Sequence, residues 1–302
     1  MQRSIQLLTL ALCTALASVP LFAATPIDET RPLDARGSVS VDNLKGRIQV
    51  RAWDRNEVQI TGSLGDGVEK LVVEGNGRHL DIKVQYPRQI GAWRSDRTGP
   101  TDLRLMVPLQ ASLEIESVSA DVDVDGVAPG ELEIDTVSGN VTVAAAPGRA
   151  QVESVSGDLR LTFNTSKAHS ETVSGDIRLT GRLDGEVHAE TVSGDIHVDS
   201  RGERLRRLST GTVSGDADLR VALAQGAQVR SESVSGDITL RVPKDTSARF
   251  RGETFSGDLR APGAKVRREE FGPGASIDTR YGSGAGEIRM ESFSGDAELI
   301  LE

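Results

Sequence analysis

The residues best suited to chemistry in this sequence are carboxylates that recur at a regular spacing. In seven Ser-Gly-Asp segments an aspartate directly follows a glycine. The glycines of the series are Gly139, Gly157, Gly175, Gly194, Gly215, Gly236, Gly257 and Gly295. The aspartates are Asp158, Asp176, Asp195, Asp216, Asp237, Asp258 and Asp296. If the segments stack, these aspartates form an aspartate column, in which neighbouring charges repel by roughly 1 kcal/mol at about 4 Å in water.

Two kinds of partner could offset this repulsion. Calcium prefers several oxygen ligands, so a column of carboxylates could bind it. The Gly-Gly-x-Gly-x-Asp type of calcium repeat does not occur, however, and the spacing does not fit an EF-hand. The sequence favours the other solution, in which aspartate and serine side chains bond to backbone amides of the turns.

No other group of residues predicts catalysis or metal binding. His79, His169, His188 and His197 show no metal-ligand spacing with one another. A serine in every Ser-Gly-Asp segment indicates structure rather than one activated nucleophile. No phosphate loop or dinucleotide fingerprint occurs. We therefore predict no catalytic, cofactor-binding or metal-binding residues, and assign the glycines and aspartates above to a structural motif.

The element that positions these residues is a repeated unit, seen clearly as Thr-Val-Ser-Gly-Asp-Ile-Arg-Leu at residues 172–179. Successive glycines lie 18 to 21 residues apart, and the last interval of 38 is about two periods. Such a period is typical of stacked supersecondary units. It predicts an all-β fold, a single-stranded β-solenoid with about 18–21 residues per coil, in which length differences fall in loops.

Alternation along the unit predicts which side chains face inward. Read as one extended segment, it places Val173, Gly175, Ile177 and Leu179 on the same apolar face. The interior would then contain an apolar column of Val155, Val173, Val192, Val213, Val234, Phe255 and Phe293. It would also contain an isoleucine column of Ile177, Ile196 and Ile238 with Leu159 and Leu259. Two short strands that turn at Ser-Gly are the competing interpretation.

The alternation breaks before each unit, at a row of acidic residues that would mark a corner of the coil. This acidic column contains Glu116, Asp135, Glu153, Glu171, Glu190, Glu232, Glu253 and Glu291.

The chain divides into four parts. Residues 1–24 are predicted to be a signal peptide, with Arg3, a short apolar run and small residues at the cleavage site. Residues 25–36 are predicted to be a flexible leader, residues 37–107 an N-terminal β module that caps the solenoid or continues into it, and residues 108–302 the Val-Ser-Gly-Asp solenoid. Residues 87–100, with Trp93 among several arginines, are interpreted as a solvated loop or alternatively a ligand-contacting one. Residues 262–286 interrupt the last interval and could cap the array.

Charge and composition limit the partners. The formal net charge is −10, which argues against nucleic acid and anionic membrane surfaces, since both require a basic face. Aromatic residues make up 3% of the chain, so the stacking platforms of a carbohydrate-active enzyme are scarce. Loss of the signal peptide would remove the one cysteine, Cys13, and leave a mature chain without a transmembrane segment.

The Val-Ser-Gly-Asp-Ile units and the opening stretch at residues 41–50 resemble the bacterial putative adhesin family, also called domain of unknown function 4097. The resemblance covers roughly residues 37–301 and implies a β-solenoid of the cell envelope, with no catalytic motif to transfer. We therefore expect a non-enzymatic, adhesin-like structural or interaction protein, exported to the periplasm or outer cell surface. Its partner would be an envelope protein or glycan. A carbohydrate-active solenoid enzyme and a calcium-dependent envelope scaffold are the alternatives.

Overall fold

The computed structural model of the protein describes residues 25–87, 98–268 and 272–302. The predicted signal peptide and most of the loop at residues 87–100 lie outside these ranges. The described residues form strands, turns and bends without a helix, so none of them makes a helix with the length and hydropathy of a membrane span. The prediction of an all-β fold is confirmed.

The described part of the chain contains twenty-one strands. The first ten are β1 (Thr25–Pro32), β2 (Ser38–Trp53), β3 (Glu57–Leu64), β4 (Lys70–Gly75), β5 (His79–Gln85), β6 (Thr101–Pro108), β7 (Ser112–Asp125), β8 (Glu131–Ser138), β9 (Val141–Ala145) and β10 (Arg149–Ser156). The next six are β11 (Leu159–Ser174), β12 (Ile177–Ser193), β13 (Ile196–Ser214), β14 (Ala217–Ser235), β15 (Ile238–Val242) and β16 (Ala248–Ser256). The last five are β17 (Leu259–Arg260), β18 (Arg267–Arg268), β19 (Ala275–Tyr281), β20 (Gly286–Ser294) and β21 (Ala297–Leu301).

From β7 to β15 the strands pair in parallel, and each residue faces its equivalent one repeat away. Between β12 and β13, Ile177 pairs with Ile196 and Thr191 with Thr212. The register shifts between Thr180 and Glu186, where repeats of different length meet. Equivalent side chains therefore lie in columns, with a spacing of about 4.8 Å between neighbouring strands.

Each repeat bends sharply at its glycine and the residue that follows. β12 ends at Ser193 and β13 begins at Ile196, so Gly194 and Asp195 form the turn. Gly194 has a φ of 152°, a conformation that residues with a side chain rarely adopt. A Cβ atom there would lie 2.1 Å from the carbonyl oxygen of Gly175 in the preceding repeat. Both the backbone angle and the close approach of the next repeat require glycine.

The turn shows that the predicted inward position of the apolar column is wrong. Val173 is 49% exposed, whereas Ile177 is fully buried. The positive φ of Gly175 separates the alternation before it from the alternation after it, so the two residues do not share a face. The competing interpretation, two short strands that meet at Ser-Gly, describes the structure. The other members of the apolar column, Val155, Val192, Val213, Val234, Phe255 and Phe293, are also 47–57% exposed.

The acidic column does not mark a corner either. Along β12 the alternation continues through Glu190, because Thr191 is buried at 4% exposure and Val192 faces outward. The hydroxyl of Thr191 donates a hydrogen bond to the carbonyl oxygen of Gly175 at 3.3 Å. The inward hydroxyl thus bonds to the preceding turn, and the corner falls at the glycine.

The prediction of an interior isoleucine column is confirmed. Ile177, Ile196 and Ile238, with Leu159 and Leu259, are 0–4% exposed. Each of these side chains stacks on its equivalent in the next repeat. The core is therefore a narrow column that runs along the stack of repeats. Most of the apolar area is therefore buried between repeats rather than within one.

The N-terminal module continues the array. β2 pairs in parallel with β7 along most of its length, with Val39 opposite Leu113 and Ile48 opposite Val122. β5 and β6 pair with the other edge of β2. The prediction of a flexible leader at residues 25–36 is wrong for residues 25–32, because β1 pairs antiparallel with β3. Ile27 is 7% exposed, and its burial helps to hold this strand in place.

The C-terminal repeats are stacked out of chain order. β20 pairs in parallel with β14 on one side and with β16 on the other. β21 lies in the same way between β15 and β17. The last repeat in sequence is thus inserted before the one that precedes it. β19, from the interrupting segment 262–286, pairs antiparallel with β16 at the outer edge.

We expect Gly194→Ala to destabilise the fold, because the new Cβ atom would strain φ and meet the backbone of the preceding repeat. Backbone strain of this kind costs on the order of 1–3 kcal/mol, and the contact adds to it. Gly211→Ala is the matched control, since the atoms nearest to a Cβ there belong to the side chain of Glu190, at 3.5 Å or more. Chemical denaturation of both variants tests this; equal midpoints would contradict the requirement for glycine at the turn.

The inserted repeat can be tested with paired cysteines. Arg230 pairs with Arg289, and neighbouring strands about 4.8 Å apart lie within the Cα range of a disulfide. We expect Arg230→Cys with Arg289→Cys to crosslink under mild oxidation, seen as a faster band on a non-reducing gel. Arg230→Cys with Arg251→Cys should stay reduced, because Arg251 is the partner of Arg289 on β16 and two strand spacings, about 10 Å, separate it from Arg230. The reverse result would show that the repeats stack in the order of the sequence.

Candidate interaction groove

One face of the array forms an open groove with a volume of 1240 Å³. Each repeat contributes three consecutive residues to it, for example Glu190, Thr191 and Val192. Thr191 points into the core, while its two neighbours face solvent, because a strand places alternate residues on opposite sides. The groove therefore runs across the strands, lined by the acidic column and the apolar column side by side.

The apolar column is the most unusual feature of this surface. Val118 and Val137 extend it towards the N-terminus, with exposures of 43% and 47%. Nine exposed apolar side chains then lie on successive strands, a stripe of about 38 Å from eight strand spacings. At its far end the rings of Phe255 and Phe293 stack, with centroids 4.8 Å apart. Contiguous apolar stripes of this kind mark interaction sites, whereas single exposed residues do not.

The acidic column is neutralised unevenly along the groove. Near the C-terminal end Glu232 bonds to Arg230, and Glu291 bonds to Arg289. Towards the N-terminus the residues beside the column are themselves acidic, as with Glu133 beside Asp135. The negative charge of the groove is therefore concentrated in its N-terminal repeats.

This crowding changes the titration of Asp135. Burial, followed by the charges of Glu153 and Glu133, raises the pKa of Asp135 from 3.8 to about 6. Burial favours the neutral form of a carboxyl, and nearby like charges act in the same direction. Asp135 is thus the member of the acidic column that is least able to hold its charge near neutral pH.

The aspartate column lies at the turns and bonds to the backbone. The Oδ1 atom of Asp176 accepts a hydrogen bond from the amide of Asp195 at 2.9 Å, and Asp195 accepts one from Asp216 at 2.9 Å. The same bond recurs at Asp158, Asp216, Asp237 and Asp296, with lengths of 2.7–3.3 Å. Each carboxylate thus joins one turn to the next. Among the described residues, no aspartate of this column belongs to a cluster of three potential metal ligands.

The structure brings together two histidines that the sequence analysis treated as unrelated. His169 and His188 pair across β11 and β12, and with Glu171 they place ligand atoms within 4.8 Å of one another. The statement that the histidines have no metal-ligand spacing is therefore wrong for this pair. Their separation of 19 residues equals one repeat, and that signal could have identified them. His79 and His197 instead lie beside Asp81 and Asp218.

Part of the region that contains these repeats matches a known protein family. Residues 97–226 match the family model described as Toastrack DUF4097. Within these residues the chain carries a toastrack DUF4097 domain. The resemblance seen in the sequence is thereby confirmed. No curated protein matches the chain significantly.

Several solved structures are similar to the chain at low sequence identity. A structure described as a putative adhesin from Parabacteroides distasonis ATCC 8503 is 15% identical, with a TM-score of 0.52 over 91% of this chain and 97% of that chain. One described as a putative lipid binding protein from the same strain is 12% identical, with a TM-score of 0.43 over 91% and 96%. A putative adhesin from Bacteroides fragilis NCTC 9343 is 9% identical, with a TM-score of 0.40 over 92% and 98%.

In the toastrack domain, we expect Asp135→Asn to stabilise the protein at neutral pH. Because its folded pKa is raised, the contribution of Asp135 to stability is fully present below pH 3.8 and is lost as pH rises through about 6. The side chain is only partly buried, so the gain at pH 7 should be on the order of 1 kcal/mol, below the full value of the shift.

Denaturation midpoints between pH 4 and 8 measure this effect. The wild type should lose stability relative to Asp135→Asn across this range. Glu131→Gln removes the same charge from a side chain that is 60% exposed and should change the profile little. A constant difference between wild type and Asp135→Asn at all pH values would contradict the raised pKa.

Proposed function

We propose that this protein is a non-enzymatic, adhesin-like interaction protein of the cell envelope. In this proposal the stacked repeats form a β-solenoid, and the groove along it binds a partner. The signal-like sequence at residues 1–24 supports export to the periplasm or outer surface. The observation that carries the proposal is the apolar column, with half-exposed valine and phenylalanine side chains on successive strands.

The chemistry of the groove favours a protein partner over a glycan. Sugars commonly stack on aromatic platforms, and the groove offers two rings, Phe255 and Phe293, at one end only. Apart from Ala275, its remaining apolar side chains are valines, which suit an apolar segment of polypeptide. The acidic column beside them complements lysine or arginine. The proposed partner is therefore an envelope protein segment with an apolar face flanked by basic residues.

The direction of the groove also determines how the partner binds. The groove crosses the strands, so a partner would contact side chains of many repeats rather than add a strand to an open edge. Most repeats offer the same pair of contacts, one apolar and one acidic, whereas Gly211 replaces the acidic residue beside Val213. Affinity would then accumulate over several repeats, each of which contributes little alone.

The proposal is tested by site-specific photocrosslinking in intact cells, with a photoreactive residue in place of Val192. We expect crosslinks to a discrete protein whose identified contact segment is apolar and basic. The same residue in place of Thr162, which is exposed on β11 away from the groove, should not give this product. A glycan adduct, or equal crosslinking from both positions, would refute the proposed partner.

Substitution tests the same surface with the partner so identified. Val173→Asp should weaken its binding roughly tenfold, since loss of a central interface contact costs on the order of 1 kcal/mol or more. Thr162→Asp introduces the same charge outside the groove and should leave binding unchanged. Unaltered melting temperatures would show that both variants fold, and wild-type affinity in Val173→Asp would exclude the groove as the binding surface.

A further inference from the structure

Beside the groove, two imidazoles and a carboxylate meet on adjacent strands. The Nε2 atom of His169 lies 3.0 Å from Oε1 of Glu171, and Nε2 of His188 lies 3.3 Å from the same oxygen. The two imidazole rings stack with centroids 4.7 Å apart and an angle of 5° between their planes. Parallel strand pairing holds them so, because His169 and His188 occupy equivalent positions in successive repeats.

These distances fit a tetrahedral metal site. Zinc binds histidine nitrogen and carboxylate oxygen at about 2.0–2.2 Å, which places tetrahedral ligand atoms about 3.3–3.6 Å apart. The two histidine–Glu171 distances, 3.0 and 3.3 Å, are close to this edge length. All three ligand atoms lie within 4.8 Å of one another. Because the lone pair of an imidazole nitrogen lies in the ring plane, the two stacked rings must turn towards each other to bring the three ligands around one ion.

The surrounding charge also attracts a cation. Oε1 of Glu190 lies 3.3 Å from Nε2 of His188, and Oε1 of Glu153 lies 3.9 Å from Nε2 of His169. Three carboxylates thus surround two imidazoles. In the absence of a metal these contacts act as hydrogen bonds or ion pairs, and either arrangement leaves an excess of negative charge over the pair.

We propose that His169, Glu171 and His188 bind one divalent transition-metal ion, and that Zn²⁺ is the ion they suit best. Imidazole is a preferred ligand of zinc, copper and nickel, whereas calcium and magnesium prefer oxygen alone. The two histidine side chains are 30–32% exposed, so a fourth position is open to water or to a group from another molecule.

The location of this site links it to the groove. Glu171 is both a proposed ligand and a member of the acidic column that lines the groove. An ion bound there would add positive charge to that column, and its open position could accept a carboxylate or imidazole of a docked molecule. Metal binding itself does not depend on the groove having a partner.

Calorimetric titration of the untagged full chain with Zn²⁺, after chelator treatment, tests the proposal. We expect one ion per chain. His169→Ala and His188→Ala should each weaken binding by roughly a hundredfold or more, because loss of outer partners alone costs about 10- to 100-fold. His79→Ala is the matched control: His79 also contacts a carboxylate, at 2.9 Å from Asp81, but has no second histidine beside it. Cys13 is present in every variant and cannot explain a difference between them.

Cobalt substitution supplies a second readout that does not depend on affinity. Co²⁺ in the wild type should give visible absorption bands of a nitrogen- and oxygen-ligated site, and His169→Ala with His188→Ala should abolish them. Calcium and magnesium should give no saturable heat at this site. Stoichiometry well below one, or unchanged affinity in the double variant, would overturn the proposal and leave the cluster as imidazole–carboxylate contacts alone.

Discussion

The close approach of one backbone turn to the next is the contact on which the array depends. At the turns a glycine carbonyl oxygen occupies the space that a Cβ atom would fill in the following repeat, as between Gly175 and Gly194. This contact accompanies the backbone hydrogen bonds that join repeats at the corner, such as the one from the Gly175 amide to the carbonyl oxygen of Ser193. The Thr191 hydroxyl and the Asp176 carboxylate bond to the same turns. The turn thus requires three residue types close together: a glycine without a side chain, a residue with a hydroxyl group and a residue with a carboxylate.

Stacking in register has a second effect, because every side chain becomes a neighbour of its own equivalent. For buried apolar side chains this is favourable: Ile196, Ala217 and Ile238 stack in turn and bury apolar area between repeats. For carboxylates it is unfavourable unless each one finds a separate donor. The aspartates find backbone amides, whereas Asp135 lies among other acids and titrates abnormally. Repetition therefore stabilises the fold through its columns of buried apolar side chains and also creates sites of repulsion between neighbouring carboxylates.

Much of the fold could be read from the sequence, since the period and the glycine series predict parallel stacking and the isoleucine column directly. The faces could not be assigned in full, because alternation assumes a continuous strand and a glycine with positive φ interrupts it. Val173 and Ile177 were therefore predicted to share a face, whereas the structure places Val173 outside and Ile177 in the core. The position of β20 between β14 and β16 could not be predicted from the sequence either. Equivalent repeats have nearly the same residue pattern, so any of them could stack on another. His169 and His188 were overlooked because the spacing was judged along the chain rather than across repeats.

The out-of-order stacking of β20 has a consequence for how the protein reaches its final form. β16 is synthesised before β20, yet its parallel partner in the finished structure is β20. Until β20 and β21 emerge, β14 and β16 each present an open edge of matching pattern, and these edges could pair with each other prematurely. Correct assembly thus requires that β16 remain unpaired with β14 until β20 and β21 have been synthesised, or that an early pairing with β14 dissociate. A chain threaded through a membrane unfolded, and folded only after passage, would have all the repeats present when that choice is made.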